Sequence, residues 1–411
     1  MSNPLFVGID IGSKKNYACF LNSSGDRVTH SLPFDNNLPG AQSILSSILS
    51  LAKTHSFDSI SIGLEATSVY NSHLVNFFFF SQDLSPFNPQ IYVINPKLIK
   101  GFKKSYPDLP KTDDIDAFVI TDRLRFGRLP ASAKVDLPYL SLRKLTRARF
   151  HLVQNLSREK CFFLTNLFIK FSTYAQYKPF SDTFGATSTS IITSFSTEDL
   201  VSMSLEQLIS FIIQKGKNRF QNPNLIAQEL KKIAADSYRL SSKMKESIDI
   251  VLSSILENIT TTQAQIKRID KAILKELAGI KHTLLSVPGI GPVSAAGIIA
   301  EIGNISSFKN QAALAKFAGL VWNKHQSGNF QAEETHISKS GNRYLRYFLV
   351  EAANCLRLHN PVFNDFYSRK YQKSNKHHHK RALILCARKL VRLIYSLLQS
   401  KKLYESPKKS S

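Results

Sequence analysis

LFVGIDIGSKKNYACFLN, residues 5–22, is the stretch that decides the N-terminal fold. LFVGID (5–10) is a continuous apolar run that ends in an acid, Asp10, and reads as a buried strand. YACFLN (17–22) follows as a second strand, and RVTHSL (27–32), reached through the turn SSGD (23–26), as a third. Working outward, a helical pattern covers 41–55, a strand SISIGLEA covers 59–66, and a helix covers 70–79. The strand QIYVINP spans 90–96, and a helix starts at Asp113 and runs to Phe126. Strands alternating with helices after an opening three-strand meander imply a mixed sheet with helices on its faces.

The rest of the chain changes character. From residue 137 the pattern is helical, with Leu142, Leu145, Leu152 and Leu156 at three- and four-residue steps among basic residues. Residues 172–204 are rich in Ser, Thr and Phe without a clear period and read as loop; 172–224 is a candidate insertion. Leu252, Ile259, Ile266, Ile273 and Ile280 stand seven apart, with Ile255 and Ile269 between them, which is an a/d heptad. The heptad pairs either with the earlier helix of the same chain or across a dimer seam. The expected organisation is a first domain over 1–135, a helical coiled-coil region over 136–282, a mainly helical domain over 283–400, and a disordered basic tail over 401–411.

Composition narrows the function. The 411 residues carry 54 Lys plus Arg against 30 Asp plus Glu, a net charge of +24, and 43% are hydrophobic. That hydrophobic content excludes a disordered chain, and the charge excludes an ordinary metabolic enzyme and points to a polyanion, either nucleic acid or an anionic membrane. Residues 336–411 alone hold 17 basic and 3 acidic side chains. Four scattered cysteines without a CxxC pair argue against disulfides or zinc. No signal peptide and no apolar run long enough to span a bilayer is legible, so a cytoplasmic protein without a membrane partner is expected.

Four acids stand at chemically useful places. Asp10 and Glu65 end strands, and Asp113 and Asp116 lie three apart at a helix start, on one face. Carboxylates gathered at one sheet edge repel one another unless a hard divalent cation neutralises them, so the four suit Mg²⁺, with Mn²⁺ as a substitute. Singly, each reads as a turn residue or a helix cap; Asp114 breaks the spacing and is a decoy. SVPGIGPVSA (286–295) is helix-hairpin-helix chemistry, in which Gly289 and Gly291 let backbone N–H groups approach a phosphate, or else simply serve a tight turn. Lys339, Arg343 and Arg346 follow at a helix start as phosphate contacts. Ser327, Ser338 and Ser340 are equal candidates for a nucleophile on residue type alone.

VGIDIGSKKNYACFLN, GLEATSVY, VINPKLIKGFKKS, KTDDIDA, LLSVPGIGPVSAAGIIAEIG, FKNQAALAKFAGL, QSG and ISKSGNRYLRYFLVEAA, in this order, resemble the DEDD insertion-sequence transposases related to the invertase Piv, the IS one-ten type. The likeness covers about residues 4–125 and 283–355. It implies a RuvC-like RNase H fold with Asp10, Glu65, Asp113 and Asp116 as the metal-binding catalytic acids. It implies a C-terminal transposase domain whose SG motif makes Ser327 the nucleophile. The implied activity is recombination of donor and target DNA through a phosphoserine link, guided by a structured noncoding bridge RNA, in dimers that pair into tetramers. The segment NFQAEETH (329–336) departs from the family pattern by carrying Glu333 and Glu334 where basic or glycine-rich residues are usual. A RuvC-like nuclease or Holliday-junction resolvase acting by hydrolysis is the alternative. A non-catalytic nucleic-acid-binding protein and an actin-like ATPase, suggested by GIDIGS at 8–13, are further rivals.

Overall fold

The computed structural model describes residues 3–66, 69–129, 137–322, 326–327, 330–331 and 337–406. The chain divides into two compact units, Met1–Leu137 and Pro138–Ser411.

The first unit is a five-stranded mixed sheet in the order β3-β2-β1-β4-β5. Strands β1 (Pro4–Ile11), β2 (Lys15–Leu21) and β3 (Leu32–Asp35) are antiparallel, while β4 (Ser59–Glu65) and β5 (Gln90–Ile94) run parallel to β1. Helix α1 (Leu38–Thr54) links β3 to β4, and α2 (Ser72–Phe79) lies between β4 and β5. After β5 come α3 (Pro96–Lys103) and α4 (Asp113–Phe126). Alternation sorts β1 into two faces. Leu5, Val7 and Ile9, with Ile60, Ile62 and Leu64 of β4, pack under Ile44 and Ile48 of α1 and Leu74 and Phe78 of α2. The opposite face, bearing Gly8, Asp10, Gly63 and Glu65, receives α4. A β-carbon on Gly8 would stand 2.2 Å from Thr121 Oγ1 and 2.4 Å from the Thr121 nitrogen, so only glycine lets α4 lie this close to β1.

The third strand corrects the expectation of 27–32: it is Leu32–Asp35, and Arg27 makes only an isolated bridge to Leu21. Pro33 argues against a strand, but β3 is a sheet edge, where a missing N–H costs no ladder bond.

All but the first residue of α5 (Leu137–Lys170), 34 residues long, belongs to the second unit. Five helices follow: α6 (Tyr174–Tyr177), α7 (Ala186–Ser194), α8 (Thr197–Ser202), α9 (Leu205–Gly216) and α10 (Pro223–Asp236). The loop reading of 172–204 is therefore wrong. Its serines and threonines start and line short helices rather than breaking them. Ser196 with Asp199, and Ser204 with Gln207, form capping boxes, each satisfying two backbone donors at a helix start.

Helix α11 (Ser242–Ala278) returns antiparallel to α5, as ion pairs Lys170–Asp249 at 2.6 Å and Arg149–Asp270 at 2.5 Å show. Its heptad residues Leu252, Ile255, Ile259 and Ile273 are buried within the single chain, the first three against Phe163 and Leu167 of α5 and residues of α7–α10, the last against Leu142. The intrachain hairpin is thus the observed pairing, and Ile280 lies beyond the helix end.

The remaining helices are α12 (Pro292–Ile302), α13 (Gln311–Phe317), α14 (Arg343–His359), α15 (Pro361–Gln372) and α16 (His378–Ser400), with a two-residue hairpin of β6 (Gln326–Ser327) and β7 (Phe330–Gln331). They share one core centred on Ile298, Phe348, Ala352 and Leu390. Buried Glu301 takes two hydrogen bonds from Arg147, at 2.7 and 2.8 Å, and one from Asn342 Nδ2 at 2.6 Å. Losing Arg147 would strand a buried carboxylate, at a cost of about 3–5 kcal/mol. The expected disorder of the tail fails at Tyr404, whose hydroxyl accepts from Asn360 Nδ2 at 2.7 Å and whose N–H donates to Ser286 Oγ at 2.8 Å. Residues 407–411 lie outside the described residues. Among the described residues, no helix is long and apolar enough to cross a membrane.

Candidate active site

Parallel register sets the first pair of acids. Gly8 pairs with Gly63 and Ile9 with Leu64, so the next step brings Asp10 and Glu65 alongside each other at the strand ends, on the face that α4 covers. Helix α4 starts there because Thr112 caps it, its Oγ1 accepting from the Ile115 N–H at 3.3 Å. Three acids in the first turn then sit in the favourable field of the helix N-terminus.

Burial, then the charges of Asp116, Glu65 and Asp113, push Asp10 up to about 6. Burial and Asp116 likewise raise Glu65. Asp114 points elsewhere and pairs with Arg27 at 3.2 Å, outside this cluster. The donor set, hard carboxylate oxygens whose charges help to raise Asp10 and Glu65, fits a divalent cation in chemistry. As the side chains stand, no group of three or more His, Cys, Asp or Glu among the described residues is arranged to hold a metal ion.

One participant was missed in the sequence. Lys103 Nζ stands 2.5 Å from Asp116 Oδ1, the one cation bonded to the four acids among the described residues. It sits at the last turn of α3, a helix not anticipated. The signal was present: Asn95 accepts from the Lys97 N–H at 2.9 Å as a cap, and Pro96 occupies the first helical position. Further along α4, Asp122 accepts from the Tyr106 hydroxyl and from Arg125 Nε, anchoring the segment between α3 and α4.

The C-terminal candidates fall in the second unit. Ser327 is the last residue of β6, its backbone opposite Phe330. Its side chain and Gly328 lie outside the described residues. Ser338 accepts a 3.4 Å hydrogen bond from the Ser340 N–H. A 3-10 turn, Leu284–Ser286, rather than an α-helix, precedes the glycine turn. Gly289 has φ of +95° and would, with a β-carbon, meet the Leu356 Cα of α14 at 2.8 Å, so close packing and backbone conformation both require it. Gly291 is open to solvent on its β-carbon side and starts α12 without a side-chain cap.

The three basic candidates have different employments. Lys339 is exposed. The Arg343 guanidinium lies 4.8 Å over the Tyr344 ring and 5.8 Å from the Phe150 ring, leaving an exposed cation on an aromatic base. Arg346 Nη1 donates to the carbonyls of Ala318 at 3.0 Å and Lys339 at 3.1 Å, and burial lowers its pKa. Its charge is spent on tying the segment before α14 to the end of α13.

Comparison with known proteins finds two matched regions. A transposase family model matches residues 7–169, and a model of the transposase IS116/IS110/IS902 family matches residues 281–368. The chain is similar to an insertion element IS110 protein of Streptomyces coelicolor, 30% identical over 39% of each chain. It is also similar to the pilin gene-inverting protein of Moraxella bovis, 28% identical over 39% of this chain and 52% of that one. These matches thus span about two fifths to one half of the relatives' own length. An insertion element IS900 protein of Mycobacterium paratuberculosis aligns over 98% of both chains at 21% identity. With both family regions matched in order, the chain belongs to the IS110-type transposase family.

Proposed function

We propose that the protein is a DNA transposase or recombinase that cuts and rejoins DNA strands with a DEDD acid site and a serine nucleophile, directed by a structured noncoding RNA. The observation that carries this reading is the placement of Asp10 and Glu65 at neighbouring strand ends on the face that α4 covers, with Asp113 and Asp116 in the first turn of α4; burial, then these charges, push Asp10 up to about 6. The sheet order, three antiparallel strands continued by two parallel ones, supports an RNase H-like domain. Asp10, Glu65, Asp113 and Asp116 would hold Mg²⁺, which supplies charge neutralisation for the attacking and leaving oxygens of a phosphodiester.

In this reading Ser327 Oγ attacks a DNA phosphorus, displaces a deoxyribose hydroxyl and keeps the strand as a phosphoserine. A hydroxyl from another strand then attacks that phosphorus and releases the serine. Lys103 holds Asp116 in place in the absence of a divalent cation. Gly291 at the uncapped start of α12, Lys339 and Arg343 contact phosphates. Guidance by RNA, and assembly as dimers and tetramers, extend the family resemblance to this chain.

The test is strand cleavage on the native flanking DNA, with the RNA that copurifies. Asp10→Ala is expected to abolish cleavage and leave nucleic-acid binding intact; retained cleavage in Mg²⁺ would remove the acids from the site. Ser327→Ala is expected to abolish the covalent protein–DNA species as well as rejoining. Undiminished cleavage by that variant would favour a hydrolytic RuvC-like nuclease instead.

A further inference from the structure

The ladder between β1 and β4 ends one residue short of the acids. Its last registered pair is Ile9 with Leu64, so Asp10 and Glu65 stand where no β1–β4 pairing holds one strand end to the other. Each is paired outward instead, Asp10 with Tyr17 of β2 and Glu65 with Ile94 of β5. Carboxylates placed side by side repel, and that force acts to splay the two inner strands.

Three asparagines bracket this gap. Asn36, between β3 and α1, donates from Nδ2 to the Gly12 carbonyl at 2.9 Å and to the Tyr70 carbonyl at 3.3 Å. One amide thus joins the turn that follows β1 to the segment that follows β4. Asn71, buried beside Tyr70 in the chain, donates from Nδ2 to the Glu65 carbonyl at 3.1 Å. Asn16 of β2 accepts from the Gly12 N–H at 3.2 Å, so the N–H and the carbonyl of Gly12 are both held by side chains. Asn16 is fully buried, and its Nδ2 has no partner among the described residues. An unpaired buried amide costs stability, and an apolar residue there would serve the core better. What the asparagine adds is an oxygen on the turn behind Asp10. None of the three amides bonds a carboxylate among the described residues, and an amide carries no charge. They hold the strand ends without competing with a cation, in contrast to Lys103 at Asp116.

We propose that Asn16, Asn36 and Asn71 are positioning residues that set the spacing of Asp10 and Glu65 for a divalent cation, with Asn36 as the link between the two strand ends. The cation rests on the acid-site reading above; the bracket itself rests on these hydrogen bonds.

The test is the Mn²⁺ affinity of the full-length protein, read from the rise of its melting temperature over a Mn²⁺ titration. The pH is held well above the Asp10 value of about 6. Asn36→Ala removes both bridging bonds at a half-buried loop position. Asn36→Leu, of nearly the same shape and without donors, is measured beside it. Asn37→Ala is the control: it removes the cap of α1, where Asn37 Oδ1 accepts from the Gly40 N–H at 2.9 Å, and lowers stability without touching either strand end. Melts in chelator establish that each variant folds. Both Asn36 variants are expected to bind Mn²⁺ about tenfold more weakly, the low end of what losing a group that orients a metal ligand costs. Asn37→Ala is expected to bind as wild type does. Unchanged affinity in the Asn36 variants, or an equal loss in Asn37→Ala, overturns the bracket and leaves the acid site standing. A wild-type protein whose melting temperature ignores Mn²⁺, or responds no more than Asp10→Ala does, overturns the acid site and the bracket with it.

Discussion

Burial and three neighbouring carboxylates hold the Asp10 proton to about pH 6, against 3.8 for the free side chain. The metal-free folded chain therefore binds that proton more tightly than the unfolded chain does. This group's contribution to stability is fully present below about pH 3.8 and is lost as pH rises through about 6. Asp10→Asn should remove that loss. In the presence of a chelator, the variant is expected to be more stable than wild type at pH 7, on the order of 1 kcal/mol once solvent screening is allowed for. The gap should close below pH 4. Thermal melts of both proteins across that range check it, and parallel curves would mean the acids do not share a field. The places of Asp10, Glu65, Asp113 and Asp116 at or next to element boundaries were legible in the sequence because local pattern marks those boundaries. Lys103 was not, because one lysine in a lysine-rich segment gains meaning only from the carboxylate it meets.

At the scale of elements, the site depends on how closely α4 lies on the sheet. Gly8→Ala places a methyl against the Thr121 backbone, which has no rotamer in which to yield. Overpacking of this kind costs about 1–3 kcal/mol, and here it also lifts Asp113 and Asp116 away from Asp10. Denaturant unfolding should show the loss, together with a fall of the Asp10 pKa toward its ordinary value. Gly101→Ala is the control: it lies inside α3 with nothing within 4 Å of its β-carbon, and should stabilise by about 0.5–1 kcal/mol. An equal effect at both glycines would refute the packing argument. The elements read best from sequence were those with strong local marks, such as α4 behind its acidic start at Asp113. The short helices α7 and α8 were hidden because Thr187, Ser188, Thr189 and Thr197 are buried beside Ile191, Ile192 and Leu200, and a hydrophobic period does not register polar residues.

At the scale of the whole molecule, the heptad of α11 bears on assembly. Leu252, Ile255 and Ile259 are consumed within one chain, so any association between copies must use other surfaces. Ile259→Ala is expected to destabilise the chain by about 2–5 kcal/mol while leaving the oligomeric state unchanged. Urea unfolding and sedimentation on the same sample separate the two effects. Dissociation without loss of stability would mean that the heptad is a seam between chains after all.

What the sequence determined alone was local: the apolar run closed by Asp10, the capped start of α4, the seven-residue repeat, the surplus of basic charge, and the ordered motifs that mark the family. Each is written within one or two turns or strands, where a residue's neighbours along the chain are also its neighbours in space. Only the tertiary structure decided which face of the sheet receives α4, that the heptad folds back on α5, that Arg346 binds backbone carbonyls, and that Lys103 meets Asp116. Those outcomes depend on contacts between distant segments, and the same periodicity or charge is compatible with several partners until packing density and burial select one.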